Sequence, residues 1–146
     1  MSGPAGALFV AEPPQHYLVR PPLVLDCSTL AGLVFEEDWR REALQKIEGQ
    51  SLNAPFLLEV EITSVALRKH RHGGAEIAAS GLALYASMTI ELFDVSAVQV
   101  FELAKRYQLS AYDASYLWLA AELKCPLATF DEKLAAAAQA HLSQLP

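Results

Sequence analysis

No run of apolar residues in this chain approaches the roughly 18 that a membrane-crossing helix needs, so no span is expected. The first residues, MSGPAGALFVAEPPQHYLVRPP, lack a basic segment followed by a long apolar core. A secretory leader is therefore not expected, and the cytoplasm is the expected compartment. Cysteine is scarce: Cys27 and Cys125 each flank a short apolar run and read as buried thiols rather than a disulfide. The histidines, His16, His70, His72 and His141, show no Cys/His zinc spacing. A serine nucleophile elbow and a glycine-rich phosphate loop are also missing. These absences set aside zinc centres, serine hydrolases and nucleotide-cradling loops.

What remains is one apolar domain. A chain of 146 residues supports a single core, and 53% hydrophobic content with a mean hydropathy of +0.21 places it among folded chains. The net charge of -6 argues against tight nonspecific binding to nucleic acid. It leaves a cation site open, because clustered acids contribute to that total and bound metal offsets them.

Residues 1–21 contain Pro4, Pro13, Pro14 and Pro21 and read as an extended N-terminal arm, with Leu8–Ala11 or Tyr17–Val19 as the parts able to pack. The domain is expected over residues 22–146. Leu23–Asp26 reads as a buried strand and Ser28 or Thr29 as the cap of a short helix. Glu36–Ile47 follows as an amphipathic helix with Trp39, Ala43, Leu44 and Ile47 on its buried stripe, then a loop over Gly49–Asn53. A strand is expected at Pro55–Leu58, then a helix closed by the basic run Arg68-Lys69-His70-Arg71-His72, where cations suit the helix dipole. Next come an apolar helix at Ala75–Met88, a strand at Thr89–Phe93 and a helix capped by Ser96. A capping box opens another helix at Ser110–Asp113; Leu127–Thr129 is a short strand, and Asp131–Ala140 is the last helix. Strands alternating with helical crossovers predict an α/β fold: a three-layer α/β/α sandwich with a mostly parallel central sheet.

Four acids fall at strand ends or in first helical turns: Asp26, Glu61, Asp113 and Asp131. Hard oxygen ligands of this kind suit Mg²⁺ or Mn²⁺. Each also has a plainer reading. Asp26 can cap the next turn, and Glu61 competes with Glu59, which points elsewhere on a helix and reads as solvated. Asp113 can be the third residue of the Ser110 box, while Thr129 and Glu132 can cap the last helix with Asp131 as a dipole-favoured neighbour. The basic run can steer a phosphate backbone through Arg68, Lys69, Arg71 and His72, or simply end a solvated helix. Tyr107, Tyr112 and Tyr116 can stack on bases, although Tyr116 reads as core.

Three segments, VLDCS (Val24–Ser28), PFLLEVEITSVALRK and LSAYDASYLWLAAELKCPLATFDEKLAAAA, together resemble the PIN domain, and more closely the VapC toxin ribonucleases of bacterial VapBC toxin–antitoxin pairs. The resemblance spans roughly residues 22–140. It departs at Ser64, where Asn is common in the family, in the long arm, and in the short tail HLSQLP that leaves little for a final edge strand. It implies an endoribonuclease using one or two Mg²⁺ or Mn²⁺ ions, with Asp26 and Asp113 as direct ligands. Glu61 and Asp131 would bind directly or through water, and Ser28 and Thr129 would orient the carboxylates. Water attack at phosphorus would leave a 5′-phosphate and a 3′-hydroxyl. The resemblance further implies a VapB-like antitoxin partner, an RNA substrate, a homodimer, and contact with DNA only through the antitoxin. The apolar helix at Ala75–Met88 or the Trp39 helix could carry such an interface or be core. The competing reading is a catalytically inactive PIN-like module that only pairs with a protein. A phosphoacceptor reading of Asp26 is weaker, because no acidic pair precedes it.

Overall fold

Leu23, Val24 and Leu25 are buried in succession because β1 (Pro22–Leu25) is an interior strand of a parallel sheet covered on both faces. The computed structural model describes residues 20–146 together with residues 8, 9 and 11. Most of the expected arm, including His16 and Tyr17–Val19, lies outside the described residues. Leu8 and Phe9 stand in solvent.

After β1 the chain forms α1 (Cys27–Val34), α2 (Arg40–Ile47), β2 (Ser51–Pro55), α3 (Leu57–Arg71), α4 (Ala75–Ser87) and β3 (Ile90–Phe93). It continues with α5 (Ala97–Tyr107), α6 (Ala111–Leu123), β4 (Leu127–Ala128) and α7 (Glu132–Leu142). The sheet order is β3-β2-β1-β4, with every described pairing parallel. From β1 the chain moves outward through α1–α4 to β2 and β3, then returns through α5 and α6 to the other side of β1. The order therefore reverses between β1 and β4, and a crevice at the strand ends is expected there.

Two apolar clusters separate the layers. One joins the sheet, α1–α4 and Tyr116, Leu119 and Ala120 of α6; the other lies among α5, α6 and α7. The result is a three-layer α/β/α sandwich. Gly81 of α4 shows how closely one layer is packed, since a Cβ there would lie 2.3 Å from Phe35 Cδ1.

Several boundaries differ from the sequence reading. The strand expected at Pro55–Leu58 is instead Ser51–Pro55, and Phe56 already has helical backbone angles at the start of α3. The run PFLL is apolar because Leu58 begins the buried stripe Leu58, Ile62, Ala66. Part of the expected loop is strand because Asn53 satisfies its own amide, donating to Ser51 O at 3.0 Å and Leu23 O at 3.4 Å. The helix expected from Glu36 starts only at Arg40. Glu36 is left-handed at φ 56°, and Trp39 folds back over Gly32, where a Cβ would lie 2.1 Å from Trp39 Nε1. The cap of α1 is Asp26 itself rather than Ser28 or Thr29. Both cysteines are free, Cys125 buried and Cys27 partly so. Among the described residues no helix is long and apolar enough to cross a membrane, and no strand follows α7.

Candidate functional site

The reversal point is occupied by Asp26, the residue that leaves β1 and caps α1. Leu25 pairs with Ala128 across β1 and β4, and the Asp26 N–H donates to Ala128 O at 3.2 Å. That pairing brings Thr129, the residue leaving β4, beside Asp26. Asp26 is only 4% exposed, yet its carboxylate is well provided with donors. Its Oδ1 accepts from the Thr29 N–H at 3.0 Å and the Ser28 hydroxyl at 2.7 Å, and its Oδ2 from the Thr129 hydroxyl. Thr29 Oγ1 lies 3.1 Å from Asp26 Oδ1 and 2.9 Å from Ala128 O, so its single proton serves one of them at a time.

The same hydroxyls extend the network. Ser28 Oγ accepts from the Phe130 N–H at 3.0 Å, and Thr129 Oγ1 accepts from the Asp131 N–H at 3.0 Å. The turn carrying Asp131 is thereby tied to the Asp26 carboxylate. Asp131 is exposed and is itself the cap of α7, accepting from the Leu134 N–H at 2.8 Å. The alternative in which Thr129 caps and Asp131 is a bystander is corrected: the Thr129 hydroxyl is engaged between Asp26 and Asp131.

Asp113 enters from the first turn of α6. Its N–H donates to Ser110 Oγ at 3.1 Å, and among the described residues its carboxylate makes no reciprocal bond. The cap therefore uses the Asp113 backbone and leaves its side chain available. Glu61 enters from α3, with its Oε1 accepting from the Tyr116 hydroxyl at 2.6 Å. Its rival Glu59 lies on the exposed side and meets Tyr85 OH at 3.3 Å.

Electrostatics join all four acids. Burial raises the Glu61 pKa against the Tyr116 hydrogen bond that lowers it, and the charges of Asp113 and Asp26 raise it further. Burial likewise raises the Asp113 pKa, followed by the charges of Asp131 and Asp26, with Lys133 opposing. The Cys27 thiol is pushed up to about 12 by burial and by Glu61 and Asp26, so it remains a neutral thiol beside the acids at ordinary pH. Burial and Glu61 also raise the Tyr116 pKa, keeping that phenol a donor.

None of the four acids belongs to an ion pair among the described residues. Glu61 Oε2, Asp131 Oδ2 and both Asp113 oxygens accept no hydrogen bond among the described residues. Nor, among those residues, do three Asp, Glu, His or Cys side chains converge on one point as a ligand set. The donor chemistry itself, oxygen only and without an ion pair among the described residues, fits a hard divalent cation.

The basic run lies farther along α3. At about 1.5 Å per residue, Arg68 to His72 begin about 10 Å beyond Glu61, with Arg68 and His72 on the Glu61 side of the helix. Arg68 and Arg71 are exposed. Lys69 is paired with Glu37 and lies 5.6 Å from the Phe35 ring centroid. His72 Nδ1 is 2.7 Å from Arg68 O.

Two participants escaped the sequence reading. Tyr116 reads as core and is 1% exposed, yet its hydroxyl reaches Glu61. Thr29 reads as a helix cap but donates its N–H to Asp26, with its hydroxyl shared between Asp26 and Ala128 O. The signal for Thr29 was its place three residues after the acid; Tyr116 carried none, because a buried phenol is found only by where its hydroxyl ends.

Comparison with known proteins places these observations. The family model described as PIN domain matches residues 23–140. The VapC ribonuclease Mb0985 of Mycobacterium bovis is 31% identical over 123 residues, covering 81% of this chain and 92% of its own. Ribonuclease VapC9 of Mycobacterium tuberculosis matches to the same extent, 31% over 123 residues. The crystal structure of PAE2754 from Pyrobaculum aerophilum superposes with a TM-score of 0.63, covering 86% of this chain and 95% of that one at 24% identity, which supports the fold.

Proposed function

The chain belongs to the PIN domain family, and from that membership we propose that it is a divalent-metal-dependent endoribonuclease, the toxin of a toxin–antitoxin pair. The observation that carries the reading is four carboxylates delivered from β1, α3, α6 and the β4–α7 turn, none of them in an ion pair among the described residues, with burial and their neighbours' negative charges raising the pKa of Glu61 and Asp113. Relatives named as VapC ribonucleases support the same activity.

In this reading Asp26 and Asp113 would hold Mg²⁺ or Mn²⁺ directly, while Glu61 and exposed Asp131 would contribute directly or through water. The bound ion supplies Lewis acidity toward a phosphoryl oxygen and a water acidified toward neutral pH. Everything else is positioning by the chain. Thr29 and Ser28 engage Asp26 Oδ1 and the Thr129 hydroxyl engages Oδ2, so the carboxylate that would hold the ion is fixed in one orientation. Tyr116 holds one Glu61 oxygen and leaves the other free. Arg68, Arg71 and His72, with Lys69 when it leaves Glu37, attract the RNA backbone toward the acids. Water attack at phosphorus with departure of the 3′-oxygen yields a 5′-phosphate and a 3′-hydroxyl.

A VapB-like antitoxin, an RNA substrate and a homodimer complete the proposal, with DNA reached only through the antitoxin. Helix α4 supports a protein partner: only Ala78 and Gly81 are buried, and Ile77 and Leu84 are exposed. The cap bond of Asp131 favours the competing binding-module reading, because it gives that acid a purely structural use. End-labelled RNA incubated with Mn²⁺ or with EDTA separates them. The nuclease reading expects cleavage only with Mn²⁺, giving 5′-phosphate ends; intact RNA under both conditions favours the binding module.

A further inference from the structure

Trp39 is anchored beside the acids rather than buried in the helix stripe. Its indole N–H donates to Ser28 O at 3.2 Å, and Ser28 Oγ is the hydroxyl 2.7 Å from Asp26. Its ring lies 6.0 Å from the Phe130 ring, tilted by 53°, and 36% of the residue remains exposed. Phe130 stands between Thr129 and Asp131, two residues of the acid network. Lys46 Nζ sits 4.5 Å from the Phe130 ring centroid. A large aromatic pair thus stands beside the network that holds Asp26 and Asp131, with the Lys46 ammonium next to it.

The cation also opens onto a second feature. A cleft of about 790 Å³ runs along the free edge of β4, from Lys46 and Thr129 past Gln139 to Lys124 and the chain end at Pro146. Among the described residues no aspartate or glutamate side chain lines it, although the protein carries a net charge of -6. Lys46 both lines the cleft and lies over the Phe130 ring, so a cation joins the aromatic pair to the cleft, an arrangement suited to a base followed by a phosphate.

Resting on the ribonuclease reading, we propose that one strand of RNA crosses the Trp39–Phe130 platform with a base stacked on the Trp39 indole, and that the adjoining phosphates follow Lys46 into the β4-edge cleft. Trp39 is a substrate-positioning residue in this arrangement. The aromatic ring sets where a flanking nucleotide rests, and the acids act on the phosphate beyond it.

Trp39 and Trp118 are the two tryptophans of the chain, which makes the proposal directly readable. In a Trp118→Phe protein with EDTA present, a single-stranded oligoribonucleotide should quench Trp39 fluorescence as it binds. In a Trp39→Phe protein the remaining Trp118 signal should not change. Binding is followed in parallel by anisotropy of a labelled oligoribonucleotide. Trp39→Leu should weaken binding by about 5- to 150-fold, the range for loss of one stacked base, with Trp39→Phe recovering most of it. Lys46→Gln should flatten the salt dependence of log K by about 0.7, one phosphate contact on a single strand. Binding by anisotropy with unquenched Trp39 and unchanged affinity in Trp39→Leu overturns the platform and leaves the nuclease reading standing. No binding of any oligoribonucleotide, in EDTA or with Ca²⁺ in place of Mn²⁺, overturns both.

Discussion

The Tyr116 phenol donates to Glu61 Oε1 at 2.6 Å from a ring that is 1% exposed. The bond links α6 to α3 beneath the acid cluster and determines which Glu61 oxygen remains free. It also lowers a Glu61 pKa that burial and the neighbouring acids raise. Removing only the hydroxyl by Tyr116→Phe should therefore move the acid limb of the pH–rate profile upward. Metal affinity or activity should fall by about 10- to 100-fold, the usual cost of losing a partner that orients a ligand. Mn²⁺ titration calorimetry and rates from pH 5 to 9 would measure both.

Thr129 gives a companion case. Its hydroxyl donates to Asp26 and accepts from the Asp131 N–H, so Thr129→Val breaks two bonds while keeping the shape. Stability should drop by about 1–3 kcal/mol in urea unfolding. Metal affinity should drop as well, because Asp26 Oδ2 loses its direction. An unchanged Mn²⁺ affinity would contradict the positioning role.

Without divalent ions, the raised pKa values of Glu61 and Asp113 make their ionisation costly in the folded state. The folded protein binds more protons than the unfolded chain between the unfolded values, roughly 3.9 for Asp and 4.3 for Glu, and the higher folded ones. The stability from these protonated acids is complete below that window and is lost as pH rises through it. Asp113→Asn removes its share of the loss. In EDTA the variant should gain melting temperature relative to the parent as pH increases from about 4 to 7, and Mn²⁺ should raise the parent more than the variant. A difference that shrinks with pH would reverse the sign and refute the account.

Gly81 tests the packing of the α4 layer. A Cβ placed there would approach Phe35 Cδ1 to 2.3 Å and Val34 O to 2.9 Å. Gly81→Ala should cost about 1–3 kcal/mol of stability through overpacking, seen as a lower urea midpoint with an unchanged slope.

The alternation of short apolar runs with longer periodic ones made the α/β/α sandwich legible in the sequence. The acids were legible because each sits at an element boundary. Boundaries were less so, for local reasons. PFLL has no period of its own and joined α3, while Asn53 looked like a loop residue because its amide partners lie on its own strand and on β1. The early residues of the α2 segment looked helical until Trp39 found Gly32, a contact between residues whose proximity depends on the turn at Glu36. Tyr116 reads as packing in the sequence because burial hides the one polar atom that matters.

The measurement that bears most directly on the central claim compares the full chain with Asp26→Asn on single-stranded RNA in Mn²⁺. Circular dichroism and thermal melts establish that both are folded. The account predicts cleavage by the parent and a loss of at least about 100-fold in the variant, because Asp26 is the buried carboxylate around which the hydroxyl network is built. Equal cleavage by the two folded proteins would contradict it.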